Sequence, residues 1–286
     1  YSYGDLDEYV PRSMVTKLSE SLASGEIGAQ ALGGYVAFGM GSITNHVLKA
    51  GWVVVMDLYG NVETISITYG ALIGTPNISA TNMYHPIALR PHSATHFLVC
   101  MGVSGSDLNG PRFLWNWRTD EYEELHGGKT NDAHDIQWAY SGDYFWQMDG
   151  TTALKEWDAY ETGDAHDRVK TRRLKDPNHA QLCEEDAVVY ISSRNTDAIV
   201  KVNVSSGDVL WTLGGQYGDY DVVDFDGTRY AKGSSLWAGQ HNAEYFGDDE
   251  YCMFDNQYDS GNNSRLLCVV LDESEGYAYL SWEYDT

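Results

Sequence analysis

The chain is 286 residues long, with 43% apolar residues and an aromatic load of 21 Tyr and 9 Trp that suits pleated sheets. Its 18 basic residues stand against 42 acidic ones, a net charge of −24 that argues against nucleic acid or an anionic membrane as partner, since both are held through basic patches. No apolar run approaches the roughly 20 residues that span a bilayer, no signal peptide is visible, and the length suits one large all-β domain.

Residues 1–50 are the least repetitive. Pro11 is followed by Met14, Val15, Leu18 and Leu22, a stripe that ends before Gly25. This predicts a short helix over about 12–23, with Pro near its first turn and Gly beyond its end. Tyr35–Phe38 reads as a strand. A hairpin follows, Trp52–Leu58 turning at Tyr59-Gly60-Asn61 into Val62–Ile67. Residues 68–84 form a Gly/Pro/Asn/Thr loop.

Four histidines then organise the chain: His85, His134, His179 and His241. Each opens a short segment that leads into an apolar run: Thr95–Gly102, Asp143–Gly150, Ala187–Arg194 and Glu250–Gln257. A third run follows in each case: Arg112–Thr119, Thr152–Ala159, Ala198–Val204 and Ser264–Leu271. In the third unit Ser205-Ser206-Gly207-Asp208 supplies a tight turn into an outer strand, Val209–Leu213. A repeat of roughly fifty residues, each holding several short strands, is the signature of a β-propeller. The expectation is an all-β propeller of six blades, with five as the alternative. It forms a single domain over 1–286, residues 1–50 closing the ring and 51–286 forming the blades. Tyr160–Pro177 reads as a charged connection on one face, and the Gly/Asp/Tyr-rich insertion 214–239 as a lid.

In a propeller the innermost strands line one channel, so residues at equivalent places in each repeat gather around one axis. Imidazoles gathered there have three uses: metal binding, nucleophilic and acid–base chemistry, or holding blades together by hydrogen bonds. Arg194 tilts the balance toward chemistry. Its equivalents are Gly102, Gly150 and Gln257, so packing does not call for a guanidinium, whose fork suits a sulfate or phosphate oxyanion. Cys252 and Cys268 fall on neighbouring strands, and two readings stand, a disulfide or buried thiols. No CxxC spacing points to structural zinc, and no metal or other cofactor is expected. Sequons at Asn77, Asn203 and Asn262 suit a secreted, extracellular or periplasmic glycoprotein, with homo-oligomers or an extracellular assembly as its larger form.

Three stretches resemble the bacterial-type arylsulfotransferase family, propeller enzymes that use no nucleotide sulfate donor. In Asp176–Gly215 these are the inner His179, the strand ending Ser192-Ser193-Arg194, Ala198-Ile199-Val200-Lys201, and Gly207 followed by Trp211 and Leu213-Gly214-Gly215. The second stretch is Gln240-His241 with Phe254-Asp255-Asn256 and Ser264-Arg265, and the third is His134-Asp135. The match spans about 130–284. The resemblance implies transfer of a sulfuryl group from an aryl sulfate to a phenol, in ping-pong fashion, through a sulfo-histidine. It implies His241 as the nucleophile, His179 and His134 as further active-site histidines, and Arg194 as the sulfate-binding residue. Gln181 stands where the family often has Asn, and is expected to bind substrate in its place. His85, followed by Pro86, is read as structural.

Two other readings remain at this level. One is a non-catalytic extracellular propeller serving as a binding or assembly module. The other is a metal-dependent hydrolase with ring nitrogens converging on one ion. A pocket formed by His134, His179, His241 and Arg194 favours the enzyme.

Overall fold

The computed structural model describes residues 35–44, 47–57, 62–67, 84–103, 110–125, 134–139, 142–148, 153–161, 166–183, 186–257 and 263–285. The predicted helix at 12–23 and the sequons at Asn77 and Asn262 lie outside them, as does the side chain of His85. Among the described residues the structure is all-β, with one 3-10 turn at Arg194–Thr196. The chain divides after Leu125 into two compact units.

The first unit holds two sheets. β1 (Tyr35–Thr44), β2 (Val47–Asp57) and β3 (Val62–Ile67) form an antiparallel meander. β4 (Tyr84–Pro91), β5 (His96–Val103), β6 (Arg112–Asn116) and β7 (Glu121–Glu124) form a second. The predicted hairpin appears, and its first strand extends back to Val47. Val53 and Val55 pack with Val99, Met101, Phe113, Trp115 and Trp117 in one apolar cluster.

The second unit repeats a four-stranded antiparallel sheet. The first comprises β8 (Ile136–Trp138), β9 (Tyr144–Met148), β10 (Ala153–Asp158) and β11 (His166–Lys170). The next comprises β12 (Pro177–Cys183), β13 (Val188–Ser193), β14 (Ala198–Asn203) and β15 (Val209–Leu213). β13 is buried along its whole length, which explains why Val-Val-Tyr-Ile reads as a continuous apolar run rather than an alternation.

The last sheet has six strands. β18 (His241–Gly247), β19 (Glu250–Asp255), β20 (Arg265–Asp272) and β21 (Tyr277–Asp285) form the repeat, and β16 (Asp221–Val223) and β17 (Arg229–Tyr230) extend its outer edge. Cores lie between sheets. Leu154, Val169, Ala180, Val189 and Val200 fill the space between the first two. Tyr190, Ile199 and Trp211 meet Tyr251, Met253, Leu267 and Val269 between the second and third.

Two expectations are corrected here. The connection 160–177 contains β11, the outer strand of its sheet. Only Val169 of that strand is buried, so His166-Asp167-Arg168 carries no apolar alternation to announce it. The insertion 214–239 is not a lid. It supplies β16, which runs parallel to β21, and it buries Val222, Leu236 and Trp237 in the core. Gly215 begins it at φ +63°, where a Cβ would collide with the Thr196 carbonyl, so the Leu-Gly-Gly ending of β15 answers a backbone need.

Cys252 and Cys268 face each other on β19 and β20 and form a disulfide, while Cys100 and Cys183 are outside any disulfide. Asn203 ends β14, and its side-chain oxygen accepts from the N–H groups of Ser205 and Ser206 (both 3.0 Å), closing the turn that the sequon occupies. No helix among the described residues is long and apolar enough to cross a membrane.

Candidate active site

β12 and β18 are edge strands of neighbouring sheets, and β8 stands on the other side of β12. Side chains take the place of a backbone ladder along these gaps. Asp135 accepts from Ala180 N–H (2.8 Å) and Gln137 from Leu182 N–H (2.7 Å), fastening β8 to β12. On the other side the Asn178 amide donates to the Gln240 carbonyl (2.8 Å). The Gln181 amide donates to the Tyr245 carbonyl (3.0 Å) and accepts from Tyr245 N–H (2.6 Å).

The approach to His241 is held at every residue. The Arg265 guanidinium donates to the Leu236 carbonyl (3.0 Å), and Trp237 Nε1 donates to the Asp197 carbonyl (2.9 Å). Ala238 N–H donates to Asp255 (3.0 Å) and Gly239 N–H to Asp197 (2.7 Å). Asp255 is fully buried and is neutralised by Arg265 Nε at 3.0 Å. Gln240 is fully buried and donates to the carbonyls of Ser193 (3.1 Å) and Ala198 (2.9 Å), tying His241 to the end of β13. A site held this way needs little reorganisation when charge develops.

His241 lies partly exposed at the start of β18. Its Nδ1 is 3.1 Å from the Gly239 carbonyl and 2.9 Å from the Asn256 amide nitrogen. The His134 ring lies beside it, with centroids 6.4 Å apart. Arg194 opens the 3-10 turn after β13. Its N–H donates to the Asp176 carbonyl (3.1 Å) and its guanidinium to the Asp176 carboxylate (3.1 Å). Burial holds the His241 imidazole below its ordinary value of 6.5, the Gly239 carbonyl opposes this, His134 and Arg194 add to it, and Asp176 opposes it. His241 therefore feels His134, Arg194 and Asp176 together, and a neutral imidazole beside a cation is the state a nucleophile needs.

His179 is differently placed. Its side chain is 2% exposed, with Nδ1 3.2 Å from Asp135 and Nε2 3.6 Å from Glu244. The ring thus spans from the residue next to His134 to a residue of β18. Gln181 is committed to the backbone of Tyr245 by both ends of its amide. Of the five residues expected at the site, the structure brings His241, His134 and Arg194 into one electrostatic neighbourhood and puts His179 and Gln181 in the packing that supports it. The residues that sequence reasoning missed are Asp176, Gly239, Asn256 and Glu244. Asn256 was visible in the Phe-Asp-Asn motif, and Asp176 stood at the start of the His179 stretch. Glu244 had no signal.

His134, His179 and His241 do not form a group of three metal-capable donors among the described residues. Among the described residues the one group of three metal-capable donors is Glu250, Cys252 and Cys268, and its two sulfurs are joined in the disulfide.

The family profile for arylsulfotransferase (ASST) matches residues 143–285. The chain belongs to the arylsulfotransferase family. The match covers His179, Arg194 and His241 and begins just past His134. No curated protein matches the chain. Among solved structures, it is similar to a protein of unknown function from Bacteroides caccae, at 11% identity and a TM-score of 0.56, over 84% of this chain and 77% of that one. It is also similar to an auxiliary nutrient binding protein from Bacteroides ovatus, at 16% identity and a TM-score of 0.50, over 85% of this chain and 56% of that one. At these identities the likeness is one of β-rich fold, and the family membership carries the chemistry.

Proposed function

We propose that the second unit carries an aryl-sulfate-dependent sulfotransferase site, its sheets being successive blades of a β-propeller with the six blades expected from the repeat. The observation that carries the reading is the neighbourhood of His241, His134 and Arg194 on segments bearing the family's motifs, with the strand start that presents His241 braced on both sides. His241 Nε2 attacks the sulfur of a phenyl-type sulfate ester. The N–S bond forms as the S–O(aryl) bond breaks, and the electron pair leaves on the phenolate. His134 protonates that phenolate. A second phenol then gives its proton back to His134 as its oxygen attacks sulfur and the N–S bond breaks. The Arg194 guanidinium faces the sulfuryl oxygens while Asp176 keeps it aimed. His179 and Gln181 act by positioning: His179 links Asp135 to Glu244, and Gln181 fixes β18 against β12.

The first half-reaction exchanges an aryl–O–S bond for N–S and the second exchanges N–S for a new aryl–O–S bond, so no nucleotide or metal cofactor is called for. The substrates are small aryl sulfates and phenols. The Cys252–Cys268 disulfide supports an oxidising compartment, outside the cell or in a periplasm.

The test is steady-state kinetics with a chromogenic aryl sulfate and a phenol acceptor. Parallel reciprocal plots, with phenol release lost in His241→Ala, are expected. Intersecting plots, or release that survives in that variant, contradict the reading. A well-folded protein that releases nothing is the outcome expected of a binding module instead.

A further inference from the structure

The carboxamide of Asn256 sits where a nucleophilic imidazole is most sensitive to its partners. Its nitrogen is 2.8 Å from the Gly239 carbonyl and 2.9 Å from His241 Nδ1, and that same carbonyl is 3.1 Å from Nδ1. An amide nitrogen can only donate and a carbonyl can only accept. Nδ1 therefore faces one acceptor and one donor at hydrogen-bond distance, and it has a partner whether or not it carries a proton.

We infer that Asn256 and the Gly239 carbonyl together set the tautomer of His241, which makes Asn256 a positioning residue for the transfer; its catalytic consequence rests on the function proposed above. With the proton on Nδ1, Gly239 accepts it and Nε2 keeps the lone pair that attacks sulfur. With the proton on Nε2, Asn256 donates to the bare Nδ1. Either way Nδ1 is engaged and Nε2 is the nitrogen turned to substrate. During transfer the proton stays on Nδ1, donated to the Gly239 carbonyl, and the positive charge of the N-sulfo ring is balanced by the sulfuryl group it carries.

Asn256 is held in place to do this. Asp255, the residue before it, anchors Ala238 N–H and Gln257 N–H through one carboxylate oxygen (3.0 and 2.9 Å) and Arg265 through the other. The charged or titratable groups acting on the ring besides this pair are His134, Arg194 and Asp176. Among the described residues the Asn256 amide is the donor that faces Nδ1.

The experiment is nitrogen-15 NMR of the full chain without substrate, with the His241 signals assigned by their loss in His241→Asn. Wild type is compared with Asn256→Ala and Asn256→Asp, and thermal unfolding of each is recorded. Wild type is expected to show both ring nitrogens partly protonated in the neutral form. Asn256→Ala leaves only an acceptor and should move the proton onto Nδ1. Asn256→Asp should lock it there and raise the His241 titration by about one unit or more, because a carboxylate then faces Nδ1. The same nitrogen shifts and titration in all three folded proteins would overturn the inference. The readout needs no turnover, so a wild type that releases no phenol defeats the transferase reading without deciding this one. A normal burst whose pH profile is unchanged in Asn256→Asp removes the positioning role and leaves the nucleophile standing.

Discussion

His179 lies near the start of β12 and His241 opens β18, edge strands of neighbouring sheets, and their surroundings differ. His179 is buried and has a carboxylate at each ring nitrogen, on two different sheets. His241 is gripped at Nδ1 by Gly239 and Asn256, and His134 and Arg194 act on the same ring. On the function proposed above, the first ring acts as a staple and the second as the reacting group. A repeat position sets where a side chain is placed, while its neighbours set what it can do.

The sharpest way to break this contrast is to remove each ring. His241→Ala should lower sulfuryl transfer by more than about 10⁴-fold, the scale of losing a covalent nucleophile, while its thermal unfolding stays close to wild type. Arg194→Gln should lower transfer by about 10²-fold or more, because it removes a cationic donor to the developing charge, and kcat should carry most of the loss. His179→Ala should show the reverse pattern. It leaves the Asp135 carboxylate and Glu244 without the ring that joins them, and should cost about 3 kcal/mol in a denaturant titration. A His179 variant of wild-type stability and no activity would place that ring with the reacting atoms instead.

Smaller effects sharpen the picture. Gln181→Ala removes two hydrogen bonds to the Tyr245 backbone and should cost about 1–2 kcal/mol of stability, with the KM for aryl sulfate little changed. A large KM rise would restore it to the substrate. The pH profile tests His241 directly. Its pKa is held below 6.5, chiefly by burial, and the attacking ring must be neutral. On its acid side the first half-reaction should therefore fall only as the pH drops well below 6.5, while the alkaline side is set by His134, which must carry the proton it gives to the phenolate. An acid limb centred at or above 6.5 would mean that the titrating group is not the buried His241.

Much of this was legible in the chain. The β13 and β15 strands were read within a residue of their bounds, because buried apolar runs and the Ser-Ser-Gly-Asp turn mark them clearly. Arg194 stood out because its repeat equivalents are neutral. β11 was missed because an outer strand that buries only Val169 has no pattern to detect. The segment 214–239 looked like a lid because Gly and Asp dominate it, and three apolar side chains, Val222, Leu236 and Trp237, decide otherwise. The contacts of His179 and Gln181 were hidden for another reason. Their partners, Asp135, Glu244 and Tyr245, are 44 to 65 residues away in sequence, and only packing brings them together.

The central claim is that His241 takes the sulfuryl group. It is tested most directly by mixing the full chain with an aryl sulfate and no acceptor, then mapping the adduct by mass spectrometry under mildly basic conditions. The account predicts a gain of one sulfuryl group per chain, on the peptide carrying His241, that disappears when a phenol is added. Release of phenol with no adduct, or an adduct on His134 or His179, would contradict it.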